Sequence, residues 1–191
     1  MGAGTSIFGA ISYNLEKIKD HQGKVIFQNN MMVNYTENPN LDLQFALNSF
    51  EPYLAANRRT EKPVVHISLN PDPTDVLSDE QYAQLASDYM GKMGFTYQPF
   101  IVYKHEDIDR RHLHIVTVRV DENGKKISDS YEKLRSMDAC RELEIKYNLR
   151  PALKKDREFG ENFIKKIDYS RGDVKRQISN NLRGLIQMYR F

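Results

Sequence analysis

Apolar residues recur along this chain at two spacings, and the change from one to the other lays out its elements. Residues Ser6–Ile18 read as a short helix with Ile7, Ala10, Ile11 and Ile18 on one face. Lys24–Asn30 reads as a short strand. Leu41–Asn57 has helical spacing at Leu41, Phe45 and Leu54, and Pro52 is expected to interrupt it. Pro63–Asn70 alternates as a strand does: Val65, Ile67 and Leu69 point one way, Val64, His66, Ser68 and Asn70 the other. Ser78-Asp79-Glu80-Gln81 is a capping box that opens a helix striped by Tyr82, Leu85, Ala86, Tyr89 and Met93, and Gly94 closes it. Two strands follow, Pro99–His105 and His112–Asp121, joined by the six residues 106–111. Asp121-Glu122-Asn123-Gly124 is a turn. Tyr131–Tyr147 and Asp173–Tyr189 read as the last two helices.

Neighbouring strands joined by a short loop pair antiparallel, whereas a parallel pair needs a long crossover. The expected class is therefore α+β: a central antiparallel sheet of about five strands with helices packed on one face, a two-layer sandwich. At 191 residues the chain suits one domain. We expect residues 1–191 to form it, with a core over about 1–150 and a basic helical part over 151–191.

Composition narrows the function classes. Forty per cent apolar and 28% charged residues exclude a disordered chain. The sole Cys140 excludes an internal disulfide framework and a multi-cysteine zinc site. No apolar run approaches the roughly 18–20 residues of a membrane helix, and no signal segment opens the chain, so a cytoplasmic location is expected. The net charge of +2 hides an uneven distribution. From Arg150 onward there are 11 Lys/Arg against 5 Asp/Glu, and before it 17 against 21. The basic third is either a surface for a polyanion or a solvated helical face.

Three of the five histidines fall within His105-Glu106-Asp107-Ile108-Asp109-Arg110-Arg111-His112-Leu113-His114. His112 and His114 are two apart on a strand, so both rings leave the same face. His105 ends the partner strand, and the hairpin folds it back beside them. Three converging imidazoles with an open position are the donor set of a catalytic metal site. Asp107 and Asp109 either orient a ligand imidazole through its second nitrogen or serve as turn residues. His66, on the strand at residues 63–70, either faces the same side as these three or, the preferred reading, is a hydrogen-bonded structural histidine.

The pattern His-x-Asp-x-Asp-x-x-His-x-His running into Ile115-Val116-Thr117-Val118 resembles the metal motif of the mobilisation relaxases, in the His–hydrophobic–His endonuclease superfamily. Val65-His66-Ile67-Ser68-Leu69-Asn70, Tyr89-Met90-Gly91-Lys92-Met93-Gly94-Phe95 and Gln98-Pro99-Phe100-Ile101-Val102-Tyr103 are similar to the segments before that motif in relaxases of Bacteroides-type mobile elements. The resemblance covers about residues 5–150.

That resemblance implies metal-dependent nicking and rejoining of single-stranded DNA at an origin of transfer, through a tyrosine near the N-terminus and a covalent 5′-phosphotyrosine. Tyr13, in Ile11-Ser12-Tyr13-Asn14-Leu15, best matches the family's first motif, and Tyr35 is the reserve. It also implies a short strand before the tyrosine helix, for which only Met1–Gly4 remain. His105, His112 and His114 are the implied ligands, of Mn²⁺ or Mg²⁺ in function, with Zn²⁺ or Ni²⁺ also accepted by such a set. Arg110 and Arg111 in the motif loop, and Lys154, Lys155 and Arg157 in the basic part, are candidate DNA contacts, with Phe163 and Tyr169 as candidate stacking residues. Accessory mobilisation proteins are possible partners. Two other readings remain open: a rolling-circle replication initiator with the same chemistry, and a non-catalytic DNA-binding module with a structural metal.

Overall fold

Five strands and four helices follow one another as β1 (Gly2–Gly4), α1 (Ile7–Lys19), β2 (Gly23–Asn29), α2 (Pro39–Ala56), β3 (Val64–Leu69), α3 (Asp79–Met93), β4 (Phe100–His105), β5 (His112–Val118) and α4 (Glu132–Lys146). The computed structural model describes residues 1–32, 39–106, 111–152, 174, 175 and 177–179, with 39–42 by backbone only. The chain divides into two compact units, Met1–Ala152 and Leu153–Phe191. In the second, 174–175 and 177–179 are helical, and the rest of the expected Asp173–Tyr189 helix lies outside the described residues. No helix among the described residues is long and apolar enough to cross a membrane.

The strands form one antiparallel sheet in the order β1-β3-β5-β4-β2. This is the expected α+β class with five strands, and the β4–β5 pair is the expected hairpin. The implied first strand is present as the three residues of β1. The single-face packing of helices is corrected, because helices cover both faces. Ile101, Tyr103, Val116 and Val118 meet Ile11 and Leu15 of α1 and Ala46 and Phe50 of α2. Ile67, Phe100, Val102, Leu113 and Ile115 meet Leu85, Tyr89 and Met93 of α3 and Ala139 and Leu143 of α4. The physical reason is the composition of β4 and β5, which are apolar at both parities over most of their length and are buried nearly throughout.

Local signals account for the helix ends. Ser6 Oγ accepts from Gly9 N at 3.0 Å and opens α1. The Ser78–Gln81 capping box opens α3, and Gly94, at φ +86°, closes it in a conformation that costs a side chain about 1–2 kcal/mol. Pro52 does not interrupt α2, contrary to expectation. It sits on the exposed side with Asn48, whose carbonyl loses its helical partner to proline, while Phe50 and Ala46 hold the buried side.

Asp79, in the first turn of α3, ties that helix to β2 and β4. Lys104 Nζ donates to Asp79 Oδ1 at 2.8 Å, and Lys24 pairs with Oδ2. Hydrogen bonds from Lys104 and then Lys24 hold the Asp79 carboxyl below its ordinary range. A carboxyl whose pKa is lower folded than unfolded gives stability that is complete above its unfolded value and disappears as pH falls through the folded one. Asp79→Asn is expected to cost up to about 1 kcal/mol in urea unfolding near neutral pH. The gap from wild type should close as pH is lowered through the carboxylate range; a gap independent of pH would assign the loss to something other than this charge.

Candidate metal centre

The register of the sheet decides which side chains meet. His105 on β4 lies directly opposite His112 on β5, and Tyr103 lies opposite His114. Residues opposite one another in an antiparallel pair share a face, as do residues two apart on one strand. All three imidazoles therefore emerge on the α1/α2 face, at the end of the sheet where β5 begins. There they replace the apolar floor that Ile101, Tyr103, Val116 and Val118 provide further along. His105 is fully buried, His112 nearly so, and His114 is half-buried.

The rings are close-packed. The His105 and His114 centroids are 4.5 Å apart and stacked, those of His112 and His114 are 4.9 Å apart, and those of His105 and His112 are 5.4 Å apart. One ligand nitrogen from each lies within 4.8 Å of the others. A tetrahedral ion with metal–nitrogen bonds of about 2.0–2.1 Å needs nitrogens roughly 3.3 Å apart, so binding an ion would draw any wider-spaced ring nitrogens together. Three neutral imidazoles with no thiolate or carboxylate suit Mn²⁺, Co²⁺, Ni²⁺ or Zn²⁺, so the residues present fit a divalent metal.

Three further residues belong to this neighbourhood. Tyr13 projects from α1 with its ring centroid 6.3 Å from that of His114 and 6.4 Å from that of His105, and it is 46% exposed. Its neighbours Ile11, Asn14 and Leu15 are buried and anchor the helix. His66, on β3, has its Nε2 2.8 Å from His114 Nδ1. Burial, and then the charge of the chain's amino terminus, pull the His66 imidazolium pKa down. Gly23 pairs with His105 across β2 and β4. A Cβ on Gly23 would lie 2.9 Å from His105 Cδ2 and 2.9 Å from the Lys104 carbonyl oxygen, so only glycine leaves room for the His105 ring.

Sequence reasoning placed His66 on a face but could not give it a partner, because the partner depends on how β3 pairs with β5. It passed over Gly23, which lies just before the expected strand Lys24–Asn30 and joins β2 only in the structure. Arg111 is exposed, with Nε 3.4 Å from Glu106 Oε1. Asp107, Asp109, Arg110, Tyr35, Lys154, Lys155, Arg157, Phe163 and Tyr169 lie outside the described residues. Cys140 packs with the cluster on the α3/α4 face, away from the imidazoles, and burial raises its thiol pKa. The group that could hold a metal ion among the described residues contains no cysteine.

Residues 13–149 match the family model described as relaxase, MobA/VirD2-like, nuclease domain. No curated protein and no solved structure gave a significant match. The matched span runs from Tyr13 through all three clustered histidines, and the chain belongs to the MobA/VirD2-like relaxases, a metal-dependent family of DNA-nicking nucleases.

Proposed function

We propose that this protein nicks and rejoins single-stranded DNA at an origin of transfer, with site and strand specificity, to initiate mobilisation of a plasmid or transposon. In this reading the Tyr13 phenol is the nucleophile and His105, His112 and His114 hold a divalent cation, Mn²⁺ or Mg²⁺ in function and Zn²⁺ or Ni²⁺ as alternative occupants. The observation that carries it is the phenol of Tyr13 on a packed helix beside the imidazoles of His114 and His105, 6.3 and 6.4 Å away between ring centroids. A nucleophile on an anchored helix is held in place before the substrate arrives, which lowers the entropic cost of the attack.

The step is a transesterification. The Tyr13 oxygen forms a bond to phosphorus as its proton leaves, and the P–O3′ bond breaks. The departing oxygen takes up a proton to give a free 3′-hydroxyl, and the 5′-phosphate stays on Tyr13. The phosphotyrosine ester preserves the phosphodiester's bond energy, so rejoining is the same step reversed and needs no nucleotide. A bound divalent ion supplies charge neutralisation for the crowded phosphoryl transition state. Tyr35 is the alternative nucleophile. Arg110 and Arg111 in the connection between His105 and His112, with Lys154, Lys155 and Arg157 in the basic part, are the proposed phosphate contacts. Asp107 and Asp109 are the proposed partners of ligand imidazoles. Accessory mobilisation proteins would act with the enzyme on DNA in the cytoplasm.

Incubation with an origin oligonucleotide and Mn²⁺ should give a covalent protein–DNA band on a denaturing gel. Tyr13→Phe should reduce that band to background while binding of the oligonucleotide persists. An undiminished band in this variant, lost instead in Tyr35→Phe, would transfer the role to Tyr35. EDTA should stop nicking and excess Mn²⁺ restore it; nicking by chelator-treated, metal-free protein would defeat the assignment of the histidines. Gly23→Ala, which crowds His105, should weaken Mn²⁺ binding by about tenfold or more, measured by calorimetry. An unchanged affinity would show that the β2 edge gives way to the added methyl group.

A further inference from the structure

We infer that His66 is a positioning residue: its Nε2 accepts a hydrogen bond from His114 Nδ1 and thereby fixes the ring plane and tautomer in which His114 presents Nε2 to the ion. The inference rests on the reading of His105, His112 and His114 as ligands and assigns a fourth histidine a different task.

The placement follows from the sheet. β5 is the central strand, with β4 on one side and β3 on the other. β4 brings His105 beside His112 and His114. β3 brings His66 to the same face, opposite Val116 and diagonal to His114, whose direct partner is Ser68. Diagonal neighbours on one face are within reach of large side chains. The His66 and His114 centroids are 4.8 Å apart, and the facing nitrogens are 2.8 Å apart, an ordinary hydrogen-bond distance.

Two facing imidazole nitrogens at this distance share one proton, and either ring could carry it. Coordination removes the choice. If His114 binds through Nε2, its Nδ1 must bear hydrogen, so His114 donates and the neutral His66 accepts. His66 then carries its own hydrogen on Nδ1. Its Nε2 is engaged by His114, which makes it a partner of a ligand and not a fourth ligand, leaving a coordination position for the substrate. Such partners hold ligand orientation and raise ligand basicity. A carboxylate in this place would also offset the charge of the ion. A neutral imidazole leaves that charge intact beneath an anionic phosphodiester.

The test compares Mn²⁺ affinity by calorimetry, and the visible spectrum of the Co²⁺ form, in wild type, His66→Phe, His66→Gln and His112→Ala. Phenylalanine fills the space without accepting a hydrogen bond, whereas the glutamine oxygen reaches about as far as Nε2. His66→Phe is expected to bind Mn²⁺ about 10–100-fold more weakly, with a changed Co²⁺ spectrum. His66→Gln should recover most of both, and His112→Ala should bind neither ion. Wild-type protein that takes up no Mn²⁺ or Co²⁺ would defeat the ligand reading itself. Wild-type uptake with unchanged affinity in His66→Phe would defeat only the role of His66. Should the variants not fold, ring ¹⁵N spectra of the Zn²⁺-loaded wild type decide the matter. His114 should be coordinated at Nε2 and protonated at Nδ1, with coupling across the hydrogen bond to His66 Nε2; coordination through Nδ1, or no coupling, overturns the inference.

Discussion

The register of β5 against its two neighbours is the constraint on which the centre depends. His105 faces His112, and His66 lies diagonal to His114, only because β3, β5 and β4 pair as they do. A slip of one residue would turn both β5 histidines to the opposite face and leave apolar side chains in their place. What prevents the slip is burial on both faces. Leu113 and Ile115 fit the cluster under α3 and α4, while Val116 and Val118 fit the one under α1 and α2. Shifting the strand would misplace four apolar side chains in two cores at once. The metal-ligand geometry is therefore held by hydrophobic packing, and the histidines need contribute nothing to the fold that places them.

Tyr13 depends on the same packing from the other side. α1 is fixed by Ile11 and Leu15 against the sheet, with Phe50 and Ala46 of α2 closing the cluster. The phenol leaves that helix where the apolar floor ends and the imidazoles begin. Core and centre thus share one sheet face and divide it along the strand direction. This arrangement makes a short distance between a helix residue and three strand residues compatible with a well-packed interior.

Much of this was legible in the chain. The His-x-His spacing and the six-residue connection predict that three rings converge, because strand periodicity and hairpin return are local rules. The capping box at Ser78 and the closing Gly94 likewise need nothing beyond their own turn. Helices on both faces were signalled too, since Phe100–Tyr103 and Ile115–Val118 are apolar at nearly every position and not alternately so. The hairpin argument gave strand direction and was silent on how many faces are covered. Pro52 misled because the rule against proline weighs most where the freed carbonyl is buried, whereas Asn48 and Pro52 are both exposed residues. The hydrogen bond of His66 and the closeness of Gly23 to His105 were beyond reach, because both depend on the pairing of strands distant in sequence.

The charges around the centre bear on how a relaxase would meet its substrate. Among the described residues the cations nearest His105 in sequence and register are paired, and Lys104 and Lys24 reach Asp79 of α3 on the sheet face away from the imidazoles. Lys104 is held by Asp79 and Glu106, Arg111 lies against Glu106, and Lys24 lies against Asp79. Burial pulls the Lys104 ammonium pKa down, but the two carboxylates outweigh it and leave it raised. Lys104 and Lys24 thus offer an approaching phosphodiester little net attraction, whereas the exposed Arg111 can exchange its surface pair with Glu106 for a phosphate. Positive charge at the centre would then come from the ion that the imidazoles hold together with Arg111, which ties local recognition of the scissile phosphate in part to metal occupancy. Affinity for the rest of the strand would fall to other basic residues, and the stretch from Arg150 onward, with 11 Lys/Arg against 5 Asp/Glu, is where the sequence concentrates Lys and Arg. On this argument, salt would act mainly on how tightly the strand is held, and chelation mainly on whether it is cut.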